Sequence, residues 1–196
     1  MSYEEPAYTP LGESGGVEYR RYEPHLIAET VVPASVDFDR AGNEGFRRLF
    51  RYITGANAGQ AKITMTAPVS QTLPGAKIAM TAPVQQAGTA DGWRVAFMLP
   101  GQYTLATAPV PTDSRVKLVA VPGRVVAVLR YPGRWSEDNY RSNLSRLMQA
   151  LAAAHVRPVG EPWLARYNSP FSLPFLRRNE ILVEVGGLPA GVSGSQ

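Results

Sequence analysis

The sequence contains no cysteine. That excludes disulfides, thiolate metal sites, iron–sulfur clusters and cysteine nucleophiles. Long apolar runs are missing too: nothing approaches the about 20 residues needed to span a bilayer. The first residues, MSYEEPAYTPLGESGG, carry neither the basic nor the apolar region of a signal peptide. The chain is therefore expected to be soluble and cytoplasmic, with no membrane span. Net charge is +4, with a pI near 9.5, yet no run of five or more like charges occurs and the arginines are scattered. A nucleic-acid partner is not expected from that pattern, because such surfaces cluster their cations along one face. Histidine is nearly absent, with His25 and His155 alone. No HExxH, Gly-x-Ser-x-Gly or phosphate-loop spacing occurs, so familiar zinc protease, serine hydrolase and NTPase readings lack support.

What the chain does contain is punctuation. Eighteen glycines and seventeen prolines separate short apolar runs in 196 residues, which favours strands over a helical bundle. An apolar content of 44% against 18% charged residues describes one ordinary globular domain. Residues 1–16 read as a flexible arm, 17–186 as the domain and 187–196 as a disordered tail. VEYRRYE (17–23), LIAETVV (26–32), WRVAFMLP (93–100), RVKLVAV (115–121), RVVAVLRY (124–131), PWLARYNSP (162–170) and EILVEVG (180–186) read as strands. Between them the period changes twice. Phe46, Leu49, Phe50 and Ile53 mark a helix over roughly 39–53, with Gly55 just past its end. Tyr140, Leu144, Leu147, Met148 and Leu151 mark a second over about 137–154, with Ser136 as N-cap.

The order strand–turn–strand–helix–strand–strand occurs once in 17–108 and again in 109–186. Two βαββ-like halves predict a pseudo-twofold α+β domain around a curved antiparallel sheet. A second repetition is local: KITMTAPV (62–69) returns as KIAMTAPV (77–84) across the turn signal Pro74-Gly75. Both copies read as strands of a hairpin, the second a local duplication. Met65 and Met80 would each share a strand face with small apolar neighbours, and Met98 lies in the next strand.

Each candidate for chemistry has a plain structural alternative. His25 and His155 could each be an axial iron ligand or a surface histidine at an element boundary. Arg177 and Arg178, in RYNSPFSLPFLRRNE (166–180), could fork onto carboxylate or phosphate groups. They could equally bond Glu180 or loop carbonyls.

Taken together, these motifs resemble the SOUL haem-binding protein family over roughly residues 17–186. The resemblance rests on VEYRRYE, on GFRRLFRYITGAN followed by KITMTAPV, on FMLP with APVPTDSRVKL, and on AVLRYPG and ARYNSPFSLPFLRRNEI in that order. It implies a distorted eight-stranded antiparallel β-barrel flanked by two helices, close to the gyrase-inhibitor-like fold. It also implies a carrier or buffer that holds haem or another porphyrin in an apolar groove, with haem not required for folding. The residues it points to are Arg47, Phe50, Arg51, Met65, Met80, Met98, Tyr167, Phe171 and Arg177, with His25 as a possible axial ligand and no resident metal. A competing expectation is a gyrase-inhibitor-like small-molecule binder or hydrolase using a pocket carboxylate such as Glu44 or Glu184. A third is a protein-interaction module with an exposed apolar patch.

Overall fold

The computed structural model describes residues 4–72, 92–167, 173, 175 and 177–192. Its elements run β1 (Tyr8–Ser14), β2 (Val17–Tyr22), β3 (His25–Val32), α1 (Phe38–Ile53), β4 (Val69–Thr72), β5 (Trp93–Met98), β6 (Val116–Val121), β7 (Arg124–Tyr131), α2 (Glu137–Ala153), β8 (Pro158–Arg166) and β9 (Asn179–Val185). All nine strands join one antiparallel sheet in the order β1-β2-β7-β9-β8-β4-β5-β3-β6. The class is α+β, as expected, with one strand more than eight. Among the described residues no ladder joins β6 back to β1 or β2.

The extra strand comes from the segment expected to be a loose arm. Residues Tyr8–Ser14 pair with β2 across the turn at Gly15 and Gly16, both at positive φ, with a register shift between Pro10 and Gly12. Polar composition concealed it because an edge strand shows most of its side chains to solvent; within it Leu11 is buried. The expected tail also packs in part: Leu188 and Val192 lie against the core.

Both helices follow from local sequence. Asp37 caps α1, its Oδ1 accepting from Arg40 N at 2.8 Å. Thr54 closes the helix and Gly55 follows at φ 126°. The face of α1 differs in one member from the predicted stripe. Phe50 is 43% exposed, stacked on Phe46 at 5.8 Å, while Tyr52 is buried and donates to Pro109 O at 2.8 Å. Gly45 lets α1 lie close to β5, since a Cβ there would come 2.5 Å from a Val95 methyl. Ser136 caps α2 by accepting from Asn139 N. Its predicted stripe all lies in or against one core cluster with Ala127, Leu129, Ile181 and Val183.

The strands alternate cleanly, and that alternation places the site. Leu26, Ala28, Val95, Phe97, Val116 and Leu118 face α1, while Tyr19, Ala127, Ile181, Val183 and Leu164 face α2. Both helices therefore cover one face of the sheet. The other face is left to Tyr22, His25, Ile27, Ala96, Met98, Val119, Val121, Trp163, Ala165, Tyr167 and Leu182. The first half of the chain contributes β2 to β5 and the second β6 to β9. Exchanging β2 with β6, β3 with β7, β4 with β8 and β5 with β9 reverses the order of those eight strands without changing it.

The repeated octapeptide departs from its expectation. Residues 61–66 form no strand, and β4 begins only at Val69, after Pro68, which has no N–H for a ladder. Instead the segment is held irregularly: Ile63 N donates to Ile53 O at 2.7 Å and the Thr66 hydroxyl to Met98 O. The second copy and the proposed hairpin lie outside the described residues.

Candidate functional site

The uncovered face of the sheet encloses a cavity of about 570 Å³. That volume falls within the range of sites that bury small-molecule ligands, about 300–1,000 Å³. Strands from both halves line it: Ile27 and Glu29 of β3, Ser70 of β4, Ala96 and Met98 of β5, Val119 and Val121 of β6, Trp163 and Ala165 of β8, Leu182 of β9. Residues contributed by such separate strands can line one cavity because the sheet curves around it. Tyr22, Trp163 and Tyr167 supply the aromatic surface, and Pro6 lines the mouth.

His25 stands at the start of β3 and lines this cavity. Its Nδ1 lies 2.9 Å from Glu23 O. A carbonyl only accepts, so Nδ1 carries the proton, and in the neutral ring Nε2 holds a free lone pair. Burial holds the His25 pKa below its ordinary value; the Glu23 bond opposes this in part, and the nearby Arg124 charge adds to it. The ring is therefore neutral at pH 7. A histidine whose Nδ1–H is fixed by a backbone carbonyl has the arrangement metal-ligating histidines use.

Two arginines, Arg94 and Arg124, line the cavity and a third, Arg178, stands behind its Tyr167, each held differently. The Arg124 guanidinium lies 4.3 Å over the Trp163 ring and 3.8 Å from a Glu184 oxygen; burial lowers its pKa. Arg94 is half-exposed and 3.6 Å from Glu29. Arg178 sits 3.7 Å over the Tyr167 ring.

Beside Tyr167 is a buried ionic cluster. Glu180, with 0% of its side chain exposed, accepts from Arg20 Nη1 and Nη2 at 2.8 and 3.1 Å, Tyr167 Oη at 2.7 Å and Arg178 Nε at 2.9 Å. Burial alone would raise the Glu180 pKa; the Arg20 bonds and charge, with Tyr167 and Arg178, outweigh it and hold the carboxyl below its usual range. Tyr167 is pushed up by burial and by the Glu180 charge, so its hydroxyl stays a donor.

The structure gathers some of the sequence candidates and separates others. His25, Met98 and Tyr167 line the cavity together. Arg47, Phe50 and Arg51 are exposed on α1, across the sheet from it, and Met65 packs into the core beneath that helix. Arg47 instead borders a depression at the start of α1 with Asp37, Arg40, Asn43 and Glu44. Arg177 lies 4.4 Å over the Trp135 ring, and Trp135 Nε1 donates to Asn179 Oδ1 at 2.8 Å. Met80 and Phe171 fall outside the described residues. His155 is exposed at φ 54°, turning the chain out of α2. Of the two carboxylates weighed for hydrolysis, Glu44 pairs with Arg48 on α1 and Glu184 with Arg124.

Sequence reasoning missed Tyr22, Trp163, Arg124 and Arg20; it named Glu180 as a partner for Arg177 or Arg178, and Arg178 Nε donates to it at 2.9 Å. The spacing of Trp163 and Ala165 along β8, continued by Tyr167 just past its end, held a readable signal, since alternate residues share a face. Nothing local joins Arg20 to Glu180, 160 residues apart.

Comparison with known proteins adds ancestry to this geometry. Residues 3–184 match the family described as SOUL heme-binding protein. Heme-binding protein 1 of Xenopus laevis is 29% identical over 172 residues, 87% of this chain and 85% of that protein. Heme-binding protein 2 of Homo sapiens is 29% identical over 171 residues, 86% and 78% of the two chains. Among solved structures, the EcmrR C-terminal domain superposes with a TM-score of 0.62 at 12% identity, covering 92% of this chain and 99% of that one. At that identity the likeness is one of fold. No helix among the described residues is long and apolar enough to cross a membrane.

Proposed function

Because the chain belongs to the SOUL heme-binding protein family, we propose that it binds haem or a related tetrapyrrole in the cavity on the uncovered sheet face. The observation that carries this reading is His25, which lines a cavity of about 570 Å³ with its ring neutral and locked through Nδ1 to Glu23 O, so that Nε2 is the nitrogen with a lone pair to give. The donor set suits the group. Imidazole ligates haem iron, and Tyr22, Trp163, Met98 and Leu182 offer the apolar and polarizable surface a porphyrin face needs. A bound haem would supply an iron centre whose ligation reports on His25; the chain's part is to bind, orient and shield the ring. Glu161 and Arg94 at the rim are exposed. One histidine and an open rim suit holding and release, so the role is that of a carrier or buffer.

Hemin titration followed by absorbance tests this. Wild-type protein is expected to give a saturable Soret shift. His25→Ala should lose the imidazole signature and weaken binding at least tenfold. Ala96→Phe, which fills the cavity from β5, should weaken it comparably with the far-ultraviolet spectrum intact. Phe50→Ser, on the opposite side of the sheet, should titrate as wild type. If His25→Ala and Ala96→Phe both bind like wild type while Phe50→Ser does not, the ligand lies along α1 and the cavity reading fails.

A further inference from the structure

The segment ahead of β1, whose Pro6 lines the cavity, is tied by four contacts to separate connections of the chain. Glu4 O accepts from Ala67 N at 3.0 Å, and a Glu4 carboxylate oxygen accepts from Gly101 N at 2.8 Å. Glu5 takes Arg178 Nη1 on both carboxylate oxygens at 3.1 Å. Ala7 O accepts from Glu23 N at 3.0 Å, and Pro6 between them lines the cavity. Arg178 itself is aimed by the sheet. Its Nε is fixed on the buried Glu180 at 2.9 Å and its guanidinium lies 3.7 Å over the ring of Tyr167, a cavity residue, while Nη1 meets Glu5, the neighbour of the cavity residue Pro6.

We propose that Arg178 is the anchor for a carboxylate of the cavity ligand and that the Glu5 carboxylate holds its place until the ligand arrives. This rests on the reading that the cavity takes a tetrapyrrole. Of the arginines Arg94, Arg124 and Arg178, the last is the one with an acidic partner outside the sheet ladders, Glu5. Glu29, beside Arg94, and Glu184, beside Arg124, are carried on paired strands that fix their backbone at the cavity wall. Glu5 precedes β1, makes no ladder pair, and keeps 39% of its side chain in water. A propionate arriving at Arg178 would exchange one carboxylate for another on the same charged donor, Nη1. The pocket would then select porphyrins with free carboxylates over neutral ones, and Glu5 would set how strongly.

The test compares protoporphyrin IX with its dimethyl ester, titrated into full-length protein and read by quenching of tryptophan fluorescence, since Trp163 lines the cavity. Glu5→Gln is expected to tighten the free acid about two- to fivefold, the worth of one partly exposed ion pair, and to leave the ester unchanged. In an Arg178→Gln background the same Glu5→Gln change should do nothing. Equal effects on acid and ester, weaker binding of the acid, or a gain that persists without Arg178 would each overturn the exchange of carboxylates. Those results leave the tetrapyrrole reading standing. If wild-type protein binds neither porphyrin saturably, that reading falls and this one with it.

Discussion

Replacing Glu180 with glutamine should cost more stability than any other isosteric change near the cavity. The carboxylate is completely buried and accepts four hydrogen bonds, two of them from Arg20, whose side chain is 3% exposed. Glutamine keeps the shape but removes the charge, and its amide N–H₂ faces donors. Arg20 is left as a buried cation, retaining Glu18 at 2.5 Å, a residue about one-third exposed. Removing one member of a buried pair costs about 3–5 kcal/mol; the surviving Glu18 contact argues for the lower end, about 3 kcal/mol. For a chain of this size that lowers Tm by about 6–12 °C. Urea unfolding followed by circular dichroism measures it directly. A loss under about 1 kcal/mol would show that the pair is hydrated rather than buried and refute the reasoning. The acid limb gives a second reading. Glu180 has a depressed folded pKa, so its contribution is complete above about pH 4.3, the unfolded value, and is lost as pH falls toward the lower folded one. Glu180→Gln should flatten that limb. The double change Arg20→Met with Glu180→Leu should regain part of the loss, because an apolar pair leaves no stranded charge.

Gly45→Ala should destabilise by about 1–3 kcal/mol, since its Cβ would meet Val95 in a packed interface and force α1 away from β5; a neutral thermal shift would mean that the helix slides freely. His25 titrates below the ordinary histidine value, so the stability tied to its neutral form is complete above about pH 6.5 and lost as pH falls through the lower folded value. Hemin binding is then expected to fall away with a midpoint below about 6.5, and a midpoint at or above that value would contradict the burial of the ring.

How much of this was legible beforehand depended on whether the cause was local. Both helices were readable because capping and apolar period act within a few residues: Asp37, Ser136 and the Tyr140–Leu151 stripe each sit near their partners in sequence. Apart from β1 and β4, the sheet strands were readable from short apolar, β-branched runs, some of them bounded by Pro-Gly. β1 was not, because pairing with β2, rather than any hydrophobic pattern, makes YTPLGES extended. The octapeptide misled for the converse reason. Its alternation suits a strand, but Pro68 and contacts to Ile53 and Met98 hold all of the first copy before Val69 outside the ladder. At the site, His25, Met98 and Tyr167 were named from sequence and meet in one cavity, whereas the arginines of α1 were placed with them although the sheet lies between. Helical period tells which residues share a face of a helix; it cannot tell which side of a sheet the helix will cover.

The strand order carries a consequence for how the chain reaches its shape. The half comprising β2 to β5 completes its ladder with β6, a strand of the other half, and β7 to β9 are completed by β2. Each half thus lends its opening strand across the midline, like two hands with interlaced first fingers. Neither can finish its sheet before the other has been synthesised, for Tyr22 must wait for Arg124 and Thr30 for Val116. Pairings over such distances are slow to form and, once closed, mutually locking. Two fragments cut between the halves would gain a complete sheet only by reassociating. The cavity walls come from both, so an occupied site would report that the interlock has closed.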